Sequence, residues 1–61
     1  MNNILSIDYG ERYLGLAVRT DKTTIPIPVT VIDSKKQNVL KVINEYIENC
    51  NVSTIVIGYP I

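Results

Sequence analysis

The chain has 61 residues, 46% of them hydrophobic and 20% charged, with six basic side chains balancing six acidic ones. That length holds one small domain, which buries only about 60% of its unfolded surface, so its stability margin is thin. Zero net charge excludes a polybasic nucleic-acid or membrane tail, and the absence of histidine excludes a Ser-His or Cys-His catalytic pair within the chain. The single Cys50 has no internal disulfide partner and belongs to no metal-type spacing.

Residues 4–8 (ILSID) read as a first strand and residues 14–19 (LGLAVR) as a second. The Gly-containing loop between them suits a hairpin. Residues 20–24 are a polar turn, and residues 25–33 (IPIPVTVID) are β-branched and extended. Proline cannot donate to a ladder, so Pro26 and Pro28, two residues apart, leave the same side of strand three unpaired and assign it to a sheet edge.

A helix is expected to start at Ser34, where Ser34 and Gln37 have the S-x-x-Q spacing of a capping box. Val39, Leu40, Ile43, Tyr46, Ile47 and Cys50 form its apolar stripe, with Lys41, Asn44, Glu45 and Glu48 on the wet side. Asn51 is its expected stop. Residues 53–58 (STIVIG) form a fourth strand, whose apolar run suits a parallel strand covered on both faces.

The fold class is therefore α/β, in the order β-β-β-α-β. With strand three at an edge and a right-handed helical crossover, strand four adds beside strand one and the sheet order is 3-2-1-4. Asp8 then lies near Gly58 at the shared carboxyl ends of two parallel strands, where open α/β sheets bind ligands. Strand four would be a long, apolar, unprotected edge, which suggests self-association or a larger domain of which this is the front part.

No apolar run approaches the roughly 20 residues of a membrane span, and nothing reads as a signal peptide. The expected setting is the cytoplasm, without membrane attachment. Residues 12–36 carry Arg12, Arg19, Lys22, Lys35 and Lys36 against Asp21 and Asp33, a local excess that favours an anionic partner.

Asp8 at a strand end is a candidate ligand for Mg²⁺ or Mn²⁺. Such an ion takes one or two carboxylates, several waters and a substrate phosphate. One carboxylate does not make a two-ion phosphodiesterase site; partners would come from Glu11, Asp21, Asp33 or residues beyond 61. Gly10 allows a tight turn, Gly15 and Gly58 allow close approach, and Arg12 could meet a phosphate. The plain alternative is that Asp8 and Gly10 simply suit a turn, and that Glu11, Asp21 and Asp33 are solvated turn residues.

The order of these residues resembles the YqgF/RuvX family of Holliday-junction-resolvase-like proteins, within the RNase H-like superfamily. A D-x-G-x-K/R-R-I/L-G-x-A type block falls on Asp8, Gly10, Arg12, Leu14, Gly15 and Ala17, and an I/V-V-x-G-x-P block on Ile55, Val56, Gly58 and Pro60. The resemblance implies an RNase H-like sheet of order 3-2-1-4-5. It also implies metal-dependent cleavage of nucleic acid, either processing of the pre-16S rRNA 5′ end or branched-DNA resolution.

In that reading Asp8 is the first catalytic, metal-binding carboxylate. Gly10, Arg12, Gly15 and Gly58 face nucleic acid, and residues 1–61 are the N-terminal part of one domain. The chain departs from the pattern at Glu11, where the family usually has a small or hydroxyl residue, and at Tyr13, where it has a basic one. The family's remaining acids fall beyond residue 61, so the isolated chain is expected to lack Mg²⁺-dependent nuclease activity. Two other readings are an actin/hexokinase-type ATP-binding fragment and a non-catalytic interaction module. The first lacks the phosphate-binding hydroxyl after Gly10.

Overall fold

The computed structural model describes residues 3–58. It contains β1 (Asn3–Tyr9), β2 (Tyr13–Arg19), β3 (Ile27–Asp33), α1 (Val39–Asn49) and β4 (Val52–Gly58). The four strands form one sheet of order β3-β2-β1-β4. β1 pairs antiparallel with β2 and parallel with β4, and β2 pairs antiparallel with β3. The predicted topology and the proline-marked edge are both observed.

Alternation along β1 and β2 divides the sheet into two faces. Leu5, Ile7, Leu14, Leu16, Val18 and Ile32 point to one side and are buried. Val39, Val42, Ile43, Tyr46, Ile47 and Cys50 pack against them from α1. The i, i+3, i+4 recurrence from Val39 to Cys50 is the expected stripe with one exchange. Val42 belongs to it, whereas Leu40 is 72% exposed. Leu40 lies about 100° around the helix from Val39 and so joins Lys41 and Asn44 on the solvent side.

The helix begins later than expected. Residues 34–37 form a turn, and the N-cap is Asn38, whose Oδ1 accepts from the Lys41 N–H at 3.2 Å. Ser34 is unavailable as a cap because its hydroxyl donates to the Arg12 carbonyl at 2.7 Å, while its N–H donates to the same oxygen at 2.8 Å. Gln37 does reach back, but to the N–H of Asp33 rather than that of Ser34, at 2.9 Å. The S-x-x-Q spacing thus closes a corner between β3 and α1 instead of opening the helix.

The helix ends as expected. Asn51 has φ 51°, a left-handed conformation that asparagine tolerates well. Asn3 Nδ2 donates to the Cys50 carbonyl at 2.6 Å and ties this end to the start of β1.

The two edges of the sheet differ. β3 starts at Ile27, so Pro26 precedes it, while Pro28 sits within it beside a register irregularity opposite Leu16 and Ala17. β4 has no proline and no charged residue. The expectation that β4 is covered on both faces is not met: Ile55, Val56 and Ile57 are all exposed. The single helix packs over the core and touches β4, but it leaves these side chains uncovered, and no described element lies outside β4.

Candidate functional site

The face opposite α1 is bare. Ser6 and Asp8 of β1, Gly15 and Ala17 of β2, Val31 and Pro28 of β3, and Val56 and Gly58 of β4 border a trough of about 450 Å³. Asp8 lies at its carboxyl end, because β1 and β4 run the same way and both finish there. The side chain of Asp8 is exposed, on the opposite side from buried Ile7.

Both cross-strand neighbours of Asp8 are glycines. Asp8 pairs with Gly15 on β2 and with Gly58 on β4. A Cβ on Gly15 would meet Asp8 Cβ at 3.8 Å, and one on Gly58 would lie 4.0 Å from the Ile7 carbonyl oxygen. Both are ordinary contacts, so the backbone does not forbid a side chain there. The pair of glycines instead leaves the carboxylate without flanking side chains across three strands, open to a bulky ligand.

Gly10 has a different reason. It donates its N–H to the Tyr13 carbonyl at 3.0 Å, closing the β1–β2 hairpin. A Cβ built on Gly10 would lie 2.6 Å from that same oxygen. Close backbone approach, not a left-handed φ, requires glycine here.

Arg12 faces Asp33. Its Nε donates to Oδ1 at 3.2 Å and its Nη2 to Oδ2 at 3.0 Å, a two-pronged pair. The hydrogen bonds and charge of Asp33 hold the Arg12 guanidinium above its usual pKa. Those of Arg12, together with the Lys35 N–H, hold the Asp33 carboxyl below its usual range against the opposing effect of burial. The Arg12 guanidinium also lies over the Tyr13 ring, 5.2 Å from its centroid.

These contacts place the residues that the sequence singled out. Asp8, Gly15 and Gly58 converge at one point on the bare face, Gly10 shapes the hairpin beside them, and Arg12 is bonded to Asp33. Among the described residues no group of three or more Asp, Glu, Cys or His side chains assembles a metal site. Asp33 is committed to Arg12, and Asp21 follows β2 at the far end of the sheet. Pro60, part of the second motif, lies outside the described residues.

Residues 2–61 match the family model described as RuvX: Holliday junction resolvase. The chain belongs to the RuvX family. Its sheet order is the one expected of the family's RNase H-like fold. The chain is 37% identical over 59 residues to a protein of Dictyoglomus turgidum named "Putative pre-16S rRNA nuclease", an alignment covering 95% of this chain and 42% of that protein.

Proteins of the same name from Rickettsia bellii and Karelsulcia muelleri are similar as well. The first is 34% identical, covering 95% of this chain and 38% of the relative. The second is 33% identical, covering the whole chain and 43% of the relative. The chain therefore spans about two fifths of the length of the curated relatives it matches. No solved structure matches it.

Within the RuvX pattern, Tyr13 enters only as a departure and not as a site residue. Its signal is the alternation Tyr13, Gly15, Ala17 against Leu14, Leu16, Val18, which puts Tyr13 on the bare face with Asp8. The Arg12–Asp33 contact joins residues 21 apart and leaves no local signature.

Proposed function

We propose that this chain carries the β1 part of a metal-dependent nuclease site acting on structured nucleic acid, with pre-16S rRNA 5′-end processing as the favoured role. The supporting observation is Asp8 itself: an exposed carboxylate at the carboxyl end of paired parallel strands, flanked by Gly15 and Gly58 and open to the bare face. A single hard oxygen donor with open space fits Mg²⁺ or Mn²⁺, which take few protein ligands and keep room for water and phosphate. Bound there, the ion would activate water and stabilise the leaving oxygen. Asp8 would hold the ion, Gly15 and Gly58 would leave room for the sugar-phosphate backbone, and Gly10 would fix the hairpin. The other carboxylates of such a site come from outside the described residues.

The test is Mn²⁺ titration followed by NMR. Paramagnetic broadening is expected to centre on Asp8, Gly15 and Gly58 and to vanish in Asp8→Asn. Broadening centred elsewhere, or unchanged in Asp8→Asn, would overturn the assignment. In keeping with a site of one carboxylate, the 61-residue chain is expected not to cleave RNA or branched DNA with Mg²⁺; cleavage abolished by Asp8→Asn would show that one carboxylate suffices.

The β4 edge supports a second proposal, that two copies pair through it. Beyond a register irregularity at Ser53, the strand with exposed Ile55, Val56 and Ile57 carries none of the charges or prolines that discourage strand addition. Light scattering on the eluting chain is expected to give twice the monomer mass, and Val56→Lys to return it to the monomer. A monomer at all concentrations would reject this pairing.

A further inference from the structure

We infer that Tyr13, backed by Arg12, is a stacking platform for one unpaired nucleobase of the strand whose phosphate meets Asp8. The inference rests on the nuclease reading above and names the form of nucleic acid that this site would take.

Four observations carry it. Tyr13 is 52% exposed, although it opens a strand whose next residue, Leu14, is buried. The pleat turns it to the same face as Gly15 and so to the face of Asp8. Asp8 pairs with Gly15, so Tyr13 is its diagonal neighbour on the adjacent strand, a separation of about 7–8 Å. Gly10 and Gly15, the cross-strand partners of Tyr13 and Asp8, carry no side chain on that face.

The third observation is the guanidinium 5.2 Å from the ring centroid. Arg12 is itself held by the two-pronged bond to Asp33, and its carbonyl by two bonds from Ser34. The guanidinium beside the ring thus has its hydrogen-bond partners in the free protein. A stacking surface that is ordered in the free protein spends less on immobilisation when a base docks.

Fourth, cations stand beside the ring: exposed Lys35 and Lys36 and the Arg12 guanidinium, matched in number by Asp8, Glu11 and Asp33. Base–aromatic stacking is sequence-tolerant, because every base has a π-face. A duplex cannot use the platform, because its bases are already stacked on one another, whereas loops, bulges and ends can splay a base outward. The site would therefore select an unpaired nucleotide next to the bond presented to Asp8.

The experiment uses the 61-residue chain and two probes of equal length, a single-stranded oligouridylate and the corresponding abasic sugar-phosphate strand. Binding is read by anisotropy and by the Tyr13 ring signals in NMR. The base-bearing strand is expected to bind more tightly and to shift the Tyr13 ring signals upfield. Tyr13→Ala is expected to weaken that binding about tenfold, within the range of one base–aromatic stack, and to leave abasic binding unchanged. Tyr13→Phe is expected to restore the affinity to within about twofold, since the stack needs the ring and not the hydroxyl.

Equal binding of the two strands by the unmodified chain, or equal affinity of Tyr13→Ala and the unmodified chain for the base-bearing strand, would overturn the platform. The Mn²⁺ titration at Asp8 is independent of these readings. Broadening at Asp8 without a base preference sinks the platform alone, whereas a base preference without broadening sinks the metal assignment and leaves the platform standing.

Discussion

Leu5→Ala is expected to remove a large share of the chain's stability. Leu5 is fully buried at the middle of β1, the strand that joins β4 to the β2–β3 pair. It pairs with Val18 on one side and Ile55 on the other. Truncating a buried leucine removes its transfer free energy and leaves a cavity, at a cost of about 2–5 kcal/mol. A chain of this length has a total stability of only about 3–9 kcal/mol at the usual value per residue. One side chain therefore accounts for a large share of the whole. The measurement is urea unfolding followed by circular dichroism. Leu40→Ala is the control, because Leu40 is exposed on the far side of α1 and should shift the midpoint little. Equal shifts for the two variants would show that the core is not where the structure places it.

Gly10→Ala is expected to open the β1–β2 hairpin, costing about 1–3 kcal/mol as an overpacking substitution. The new methyl would sit 2.6 Å from the Tyr13 carbonyl oxygen, which is already the acceptor of Gly10's own N–H. The clash and the hydrogen bond concern the same two groups, so relieving one breaks the other. Because backbone is on the receiving side, no side-chain rotation resolves it. The movement is passed to Glu11 and Arg12, which lie between Gly10 and β2, and to Tyr13, the first residue of β2. Hydrogen exchange at the Gly10 position is expected to accelerate, and the thermal midpoint to fall by more than in Gly15→Ala, whose Cβ meets only an ordinary 3.8 Å contact. An unshifted midpoint in Gly10→Ala would remove the steric account of this glycine.

The two glycines also show how the sequence could be read. Asp8 followed by Gly10 gives the position of a turn, but not the reason for the glycine, since the oxygen it must avoid belongs to Tyr13. Gly15 and Gly58 stand 43 positions apart and become neighbours of Asp8 only through the sheet order. That order was legible, because two prolines mark one edge and a helix spans one crossover.

The helix start was not legible, because Ser34 and Gln37 have the spacing of a cap but different partners. The Arg12 carbonyl, 22 residues upstream, takes the Ser34 hydroxyl before the helix can use it. Leu40 failed for a geometric reason: seven apolar residues in 12 positions suit more than one stripe, and the core chose the one containing Val42. The partner of Arg12 was likewise hidden, since a cation on a loop looks the same in sequence whether it faces a phosphate or a carboxylate.

The unequal edges of the sheet also set a limit on growth. A sheet with two receptive edges can add copies indefinitely, and the product is a fibre. Here Pro28 and the irregularity beside it interrupt the β3 side, whereas among the described residues β4 carries an irregularity only at its start. Pairing of β4 with β4 consumes both receptive edges at once and leaves proline-bearing strands at the two outer margins. Under the proposed β4–β4 pairing, assembly would therefore stop at two.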